Sequence, residues 1–593
     1  NVQIGDYSGR YVNGSANVAI GSSAGSGTDT DRLQVNSTTA IGNTAKALTS
    51  DSVAIGTSAQ AGKADKFSGE RAVAVGYNAQ ALGSAGIAIG EESSTTNGHN
   101  GVAIGAYSKT SNEKAISIGA FNAATGAQSI VMAGNYDTNS SGPVSVASGT
   151  RATVIGAETT VSGNNSVAIG DKNTVASART YALGNNINVA AGADDSLVFG
   201  TQANVGAVHS IAMGTTAAAT GIGSIALGKS ASATEQRAIA MGENALAGNE
   251  ASMALGYNSS AKGSKQVSIG LGAGALKNAT DAGAELATFV GHYAGADNAS
   301  PTGNAQGVAV GVNAGRYGVS GIRNVAVGPN TGQKVEGDDN TAIGYNSGRG
   351  VKGTNNFAGG ANAGVFVEGN NNVALGFNAG IGAEAKPLKV NRTTAVGSDS
   401  RALADDSVAL GDHAIANNAN SVAIGTRSTT SDIHTGDYTL NGSYTAAGLP
   451  VAANGTVSVG SAGKERQIQN VAAGVISATS TDAINGSQLY ATNNYLSNFA
   501  GGVKKVLGGD AAVDNAGNVT MSNIGDTGEG TVHGAIKNLK DAIDSKVDTT
   551  ASVTSEDPAD IKVDKEAPVG NTTNYKLSLG NDAKAKLAKA ATA

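Results

Sequence analysis

What most constrains this chain is a four-residue apolar tetrad, closed by glycine, that returns at a fixed stride. Val-Ala-Ile-Gly stands at Val18 to Gly21, Val53 to Gly56, Val102 to Gly105, Val167 to Gly170 and Val422 to Gly425, with close variants between. In the most regular stretch the tetrad glycines are Gly200, Gly214, Gly228, Gly242, Gly256 and Gly270, a step of 14 residues. From Gly328 through Gly344 and Gly360 to Gly376 the step is 16. Such a period marks an array in which each repeat is one small unit stacked on the next. In Ser52-Val53-Ala54-Ile55-Gly56, Val53 and Ile55 share one side of an extended segment and Ala54 takes the other. A second short segment, such as Ser230 to Ala233 or Asn244 to Ala247, follows before a bend returns the chain to the next tetrad. Two short strands and two turns per repeat, stacked about 4.8 Å apart, predict an all-β parallel β-roll or solenoid.

Composition agrees with periodic turns rather than with a thick core. Glycine is 85 of 593 residues, without a period of three and with only 7 prolines, which excludes a collagen helix. Tryptophan and cysteine are absent and charged residues are 14%, so a disulfide framework and a charge-rich disordered chain are both excluded. A net charge of −7 without a long basic run gives no nucleic-acid footprint. The chain opens inside a repeat at Asn1-Val2-Gln3-Ile4-Gly5, with no apolar leader and no apolar stretch near 18 residues. We therefore expect a mature fragment whose membrane anchor lies outside this sequence.

Fourteen residues per turn enclose little volume, so the reading places Ala19, Ala54, Ala103, Ala168 and their equivalents on a partly exposed strand face. Repeated apolar faces seldom stay wet. Close approach of identical rolls through these alanines, in a homo-oligomer, is the expected outcome. Longer inserts at Ser22 to Thr39, Ala59 to Ala72, Leu271 to Gly307 and Ile381 to Thr393 are expected as loops.

Past Thr429 the tetrad stops. Lys464 to Tyr490 holds Arg466, Ile468, Asn470, Val471, Ala473 and Gly474, then Thr479 to Ala483 and Asn485-Gly486-Ser487-Gln488-Leu489-Tyr490. Leu489, Leu496 and Phe499 fall at helical spacing, a glycine-bearing β-like insert runs from about Ala500 to Gly530, and Val532, Ile536, Leu539 and Ile543 follow a 4-3-4 coiled-coil spacing.

Tetrads in the form Asn-Ser-Val-Ala-Ile-Gly, as at Asn165 to Gly170 and Asn420 to Gly425, closely resemble the YadA-like head repeats of trimeric autotransporter adhesins of Gram-negative bacteria. Lys464 to Tyr490 looks like their neck, and Phe499-Ala500-Gly501-Gly502 is similar to their Phe-Gly-Gly stalk insertion, with Ala500 in place of a glycine. The resemblance implies head repeats over 1–430, with loop insertions notably at 271–307, and a connecting β-type segment over 431–460. It further implies a neck and the start of a coiled coil over 461–498, the insertion over 499–530, a coiled-coil stalk over 531–550 and an unassigned tail over 551–593. It implies a left-handed roll and a homotrimer whose neck is built by Arg466, Ile468, Val471, Asp482, Asn485, Gln488 and Leu489. The implied function is attachment to host matrix proteins, host-cell glycans, abiotic surfaces or like molecules on neighbouring cells, from the outer membrane.

Catalytic chemistry finds no support in the sequence. His99, His209, His292, His413, His434 and His533 stand far apart without metal-ligand spacing, so neither a metal nor a cofactor is expected. Glu91-Glu92, Asp194-Asp195, Asp338-Asp339 and Asp405-Asp406 read as solubilising charge or turn-located calcium contacts, because neighbours on a strand point to opposite faces. The alternative reading, a solenoid that cleaves polysaccharide or a tailspike, calls for acids gathered in one groove. An ice- or mineral-binding solenoid calls for ranked Thr-x-Thr, whereas Thr95-Thr96 and Thr429-Thr430 are irregular. The rings at Tyr77, Tyr107, Phe121, Tyr257, Tyr345 and Phe377 are expected to cover turns and pack on their neighbours above. For a local ligand site the candidates are Tyr293, Arg316, Tyr317 and Arg323, in or beside the irregular 271–328 stretch.

Overall fold

The computed structural model describes residues 1–593 except 30, 64–69, 98, 135–143, 276–283, 298–303, 435–437, 441–443, 547–560, 567–573 and 593. The chain divides into two compact units, 1–436 with 450–466 and 437–449 with 467–593. The first is a parallel β-solenoid whose tetrads form one 28-stranded sheet. Registers align like with like: Ile225, Ala226 and Leu227 pair with Ile239, Ala240 and Met241, and these pair with Met253, Ala254 and Leu255. At about 4.8 Å per rung the sheet extends on the order of 130 Å.

The two sides of the tetrad are the reverse of the expectation. The central alanines, Ala54, Ala103, Ala168, Ala226 and Ala240 among them, are fully buried inside the roll, and Ala19 nearly so. The flanking aliphatics point outward, and Ile55, Ile169, Met213 and Met241 are exposed. Size decides this. In one 14-residue turn the tetrad alanine shares the interior with small residues from the corner and the second strand, as Ala240 does with Ala245 and Ala247. Two branched side chains from each tetrad have no room in so narrow a lumen. The apolar face left wet is therefore a stripe of valine, isoleucine, leucine and methionine.

Both corners of each turn require a left-handed residue, and the roll places ordinary side chains there: Arg237 at φ 58° and Asn244 at φ 57° in one turn. This conformation costs about 1–2 kcal/mol for a non-glycine residue. It is offset by bonds to the turn below, where Arg237 N–H donates to Ile222 O at 2.8 Å and Asn244 N–H to Lys229 O at 2.9 Å.

Two kinds of turn follow from the two strides. From Lys46 to Ala261 a second sheet of 15 strands closes the roll opposite the tetrads. Polar residues just before the tetrads face inward and satisfy the carbonyls of the following bend, as when Ser166 Oγ donates to Ser177 O (2.7 Å) and Ser210 Oγ to Gly221 O (2.8 Å). In the 16-residue turns a ladder of buried amides takes over. Asn340, Asn356 and Asn372 each donate Nδ2 to the Oδ1 one turn earlier, at 3.1, 2.9 and 3.0 Å, beginning from Asn324. Each also donates Nδ2 to a carbonyl, Asn356 to Gly369 O at 2.9 Å, and Thr393 Oγ1 ends the ladder on Asn372 Oδ1 at 2.8 Å. Replacing Asn356 by leucine should cost about 2–5 kcal/mol, since it strands several buried partners at about 1–3 kcal/mol each. Threonine there, which already serves at the ladder's end, should recover part of the loss; thermal unfolding and amide exchange of the two flanking turns will show it.

Among the described residues the second unit holds three α-helices, α1 (Gly486–Leu507), α2 (Val532–Lys546) and α3 (Asn581–Ala590). Helix α1 runs through Phe499-Ala500-Gly501-Gly502 without a break, so the insert expected from Ala500 starts later, as an antiparallel hairpin of Ala512–Val513 with Val519–Thr520. A Cβ built at Gly501 or Gly502 would meet nothing within 4 Å, and the helix continues through both to Leu507. Val457–Ser458, placed by sequence in a connecting segment, pairs with Val422–Ile424 as the last rung of the long sheet. In the tail, Ile561–Lys565 pairs antiparallel with Tyr575–Leu579 ahead of α3.

Candidate functional site

Three of the four ligand candidates come together. Tyr317 follows Arg316 directly, and the insert brings Tyr293 to the turn below, so the Arg316 guanidinium lies 4.3 Å from the Tyr293 ring centre and 4.4 Å from that of Tyr317. Its Nε donates to Asp297 Oδ2 at 2.8 Å and its Nη1 to Asn313 Oδ1 at 2.9 Å, and the side chain is only 19% exposed. Cation, anion and both rings are thus engaged with one another, and the cluster is a staple across the irregular turns. Arg323 stands apart, in a two-pronged pair with Asp339 at 2.6 and 2.8 Å.

That pair belongs to a recurring device which the sequence reading missed. Asp194, Asp338 and Asp405 each accept a backbone N–H from the preceding turn, from Ala178, Ile322 and Asn391. The aspartate that follows each, Asp195, Asp339 or Asp406, grips the corner arginine one turn earlier, Arg179, Arg323 or Arg392. The arginine hydrogen bonds hold all three of these carboxyls below the usual aspartate range. The signal was an Asp-Asp one repeat after an arginine. Glu91-Glu92 differs: it lies beside Tyr107 and raises that phenol's pKa, while Tyr107 stacks on Phe121 at 4.9 Å and 7°. Tyr77, Tyr257, Tyr345 and Phe377 are about half exposed.

Of the residues expected to build a neck, Asn485 and Gln488 bond to each other, and Arg466 bonds separately to the roll. Arg466 ties the chain back to the last turns of the roll by donating to Ser428 Oγ at 2.9 Å, to Val459 O at 2.6 Å and to Thr426 O. Asn485 caps α1 in a capping box with Gln488, and its Nδ2 donates to Val471 O at 3.1 Å. Gln488 closes on Gly474 from both sides, accepting its N–H at 3.0 Å and donating to its carbonyl at 2.7 Å. Asp482 accepts the Val475 N–H at 3.0 Å, while Ile468 and Leu489 remain exposed. Gln488→Ala should lose the box and both Gly474 bonds, about 1–3 kcal/mol. Amide exchange in the first turn of α1 is expected to quicken while the roll stays unchanged.

No group of three or more potential metal ligands occurs among the described residues, nor is any described helix long and apolar enough to cross a membrane. Two family models match parts of the chain. The YadA head domain repeat matches at 36–59, 68–93, 97–122, 147–173, 191–217, 219–245, 247–273, 391–414, 402–428 and 416–435, and the coiled stalk of trimeric autotransporter adhesin matches at 467–512. The chain carries the head repeats and coiled stalk of the trimeric autotransporter adhesins. Similar adhesins include AtaA of Acinetobacter sp. (strain Tol 5), 39% identical over 116 residues, covering 19% of this chain and 3% of that protein. BtaE of Brucella suis biovar 1 (strain 1330) is 52% identical over 77 residues, 13% of this chain and 10% of that protein. EhaG of Escherichia coli O157:H7 is 55% identical over 53 residues, 9% and 3% respectively. The matched part thus spans a tenth or less of these adhesins' lengths. Among solved structures, the C-terminal YadA-like domain of a Burkholderia pseudomallei protein is 49% identical over 17% of this chain and 48% of that one, with TM-score 0.16. The collagen-binding domain of the Yersinia adhesin YadA is 19% identical over 46% of this chain and 84% of that one, with TM-score 0.17.

Proposed function

We propose that this chain is the exposed part of a homotrimeric adhesin, anchored in the outer membrane of a Gram-negative bacterium, that attaches the cell to host matrix, host cells or abiotic surfaces and to like cells. The observation that carries the reading is the order of modules, head repeats followed by a coiled stalk in one chain. Two features support association of copies. The tetrad face of the roll is apolar and exposed, and α1 and α2 present Leu489, Leu496, Phe499, Ile536, Leu539 and Ile543 to solvent in the single chain. An array of weak contacts repeated along the roll and over three chains would yield avidity without a single deep pocket. The Asp-Asp pairs on which a polysaccharide-cleaving alternative would draw are engaged on turns by arginines and backbone N–H groups.

The test is the molar mass of the purified chain by light scattering, together with retention of chain-coated beads on a collagen film, a matrix film and bare plastic. Three copies per particle and retention above that of uncoated beads are expected. A monomer, or a trimer retained on none of the surfaces, overturns the reading.

A further inference from the structure

The residue directly after each tetrad glycine forms a column up one corner of the roll, because the next residue's N–H donates to that position's carbonyl one turn below. From Tyr257 the column passes through Leu271, Val312, Pro329 and Tyr345 to Phe377, with His292 and Ala361 completing the series. The chain of bonds is continuous, from Gly272 N–H onto Tyr257 O at 2.9 Å to Asp399 N–H onto Phe377 O at 2.8 Å. Every rung in this stretch lacks Lys, Arg, Asp and Glu, whereas Glu243 and Lys229 stand one and two rungs below Tyr257 and Asp412 stands two rungs above Phe377, past Ser398. Tyr345 is 55% exposed and Phe377 52%. They stand two rungs apart, about 10 Å, over a floor made by Ala361.

Beside this ridge runs a second column of amides. Asn346 donates to Asn362 at 2.9 Å, Asn362 to Asn378 at 3.1 Å, and Asn378 to Asp399 at 3.0 Å, an acceptance that lowers the Asp399 pKa. Each amide keeps a second N–H and spare lone pairs for another partner. Flat apolar groups thus alternate with hydrogen-bonding amides along a rigid edge without Lys, Arg, Asp or Glu from Tyr257 to Asn378 in either column.

We infer that this ridge binds a neutral saccharide chain, whose C–H faces lie against Tyr345, Ala361 and Phe377 and whose hydroxyls meet Asn346, Asn362 and Asn378. Charge complementarity selects the ligand, since Tyr345, Ala361, Phe377, Asn346, Asn362 and Asn378 carry no charge and the one carboxylate beside them, Asp399, is engaged by Asn378 and Ser398. A peptide would need an open strand edge or side-chain pockets. The tetrad strands here are paired on both sides, and the ridge is a convex single file. A second copy is a poor occupant too. In a ring joined through the tetrad faces, the corner after one copy's glycines meets the corner before the next copy's tetrads, and over the turns of Tyr345 to Phe377 that corner carries Asp339, gripped by Arg323, with Asn355 and Asn371. The inference rests on the adhesin reading only in taking the ligand to be a surface outside the cell.

The test is titration of the full chain with cellohexaose and chitohexaose as neutral probes and heparin hexasaccharide as the charged one, followed by saturation-transfer NMR and calorimetry. Tyr345→Ser/Phe377→Ser, both exposed and so compatible with folding, is compared with Tyr77→Ser at the same position of an earlier turn. A neutral probe should bind, and the double variant should weaken it about tenfold, the size expected for losing two ring contacts. Tyr77→Ser should bind as the parent does. The inference is overturned if neither neutral probe binds at millimolar concentration, if the charged probe alone binds, or if the double variant binds unchanged. It is equally overturned if the double variant instead loses retention on a protein film or changes mass. Absent saccharide binding with trimeric mass and surface retention intact would sink the ridge and leave the adhesin reading standing.

Discussion

Gly242→Ala is expected to open the roll at its own turn. Gly242 has φ 129°, outside the left-handed well that the corner residues use. A Cβ there would sit 2.6 Å from Gly256 O and 2.7 Å from Gly256 C, both backbone atoms of the next turn. Neither can yield, because Gly256 is stacked in the same way on Gly270. The loss combines backbone strain of about 1–3 kcal/mol with a broken contact between turns, and about 4 kcal/mol or more is the expected total. Since each turn rests only on its neighbours, the damage should stay local. Faster amide exchange and new protease sensitivity between Ile225 and Leu255 are the readout. Gly223→Asn is the control: φ there is 63°, a Cβ would meet nothing within 4 Å, and Arg237 already occupies the same corner one turn later. Its effect should lie within about 0.5 kcal/mol. Equal stability of the two variants would refute the steric account.

In the homotrimer proposed above, charging the outward face should dissociate the copies without unfolding any of them. Ile225, Leu227, Ile239 and Met241 form a two-by-two patch on adjacent strands, with Ala226 and Ala240 behind it inside the roll. Replacing all four by lysine removes about 1.5–3 kcal/mol of apolar burial per fully buried side chain and adds like charges wherever copies meet. Association should weaken by at least about 10³-fold, read as a light-scattering mass falling to that of one chain while the β-type circular dichroism persists. Ala240→Leu is the complementary variant. It overfills the lumen, so about 1–3 kcal/mol should be lost from unfolding with no change of mass. If the four-lysine variant keeps its parent's mass, copies do not meet through this face.

How much of this could be read in advance follows from what a period contains. The stride of 14 between Gly200 and Gly270 is enough to stack the tetrads as parallel rungs, and the structure aligns them in that register. Alternation also groups Val53 with Ile55 against Ala54, but it does not say which side is inside. Lumen size decides that, and lumen size depends on corner geometry at residues such as Arg237 and Asn244, where a left-handed backbone is favoured by the asparagine but not indicated by the arginine. The Arg316 cluster is half legible for a similar reason. An irregular stretch with tyrosines and arginines drew notice to Tyr293, Arg316, Tyr317 and Arg323, yet which arginine meets the rings depends on where insert 271–307 returns the chain, and part of it lies outside the described residues. The Asp-Asp pairs and the ridge were present as columns in the repeat alignment. They become visible only when residues are compared one turn apart rather than along the strand.

The same stacking sets how the roll answers a pull along its axis. Its strands lie across that axis, so the backbone bonds between Gly242 N–H and Leu227 O and their equivalents are stretched lengthwise, one rung after another. When a rung parts, its 14 residues can pay out to about 45 Å of extended chain, whereas the folded rung spanned about 4.8 Å. Each failure therefore lengthens the tether roughly ninefold over that rung and relaxes the load on the rest. A cell held by such a tether would be given slack before its contacts with a surface were torn away.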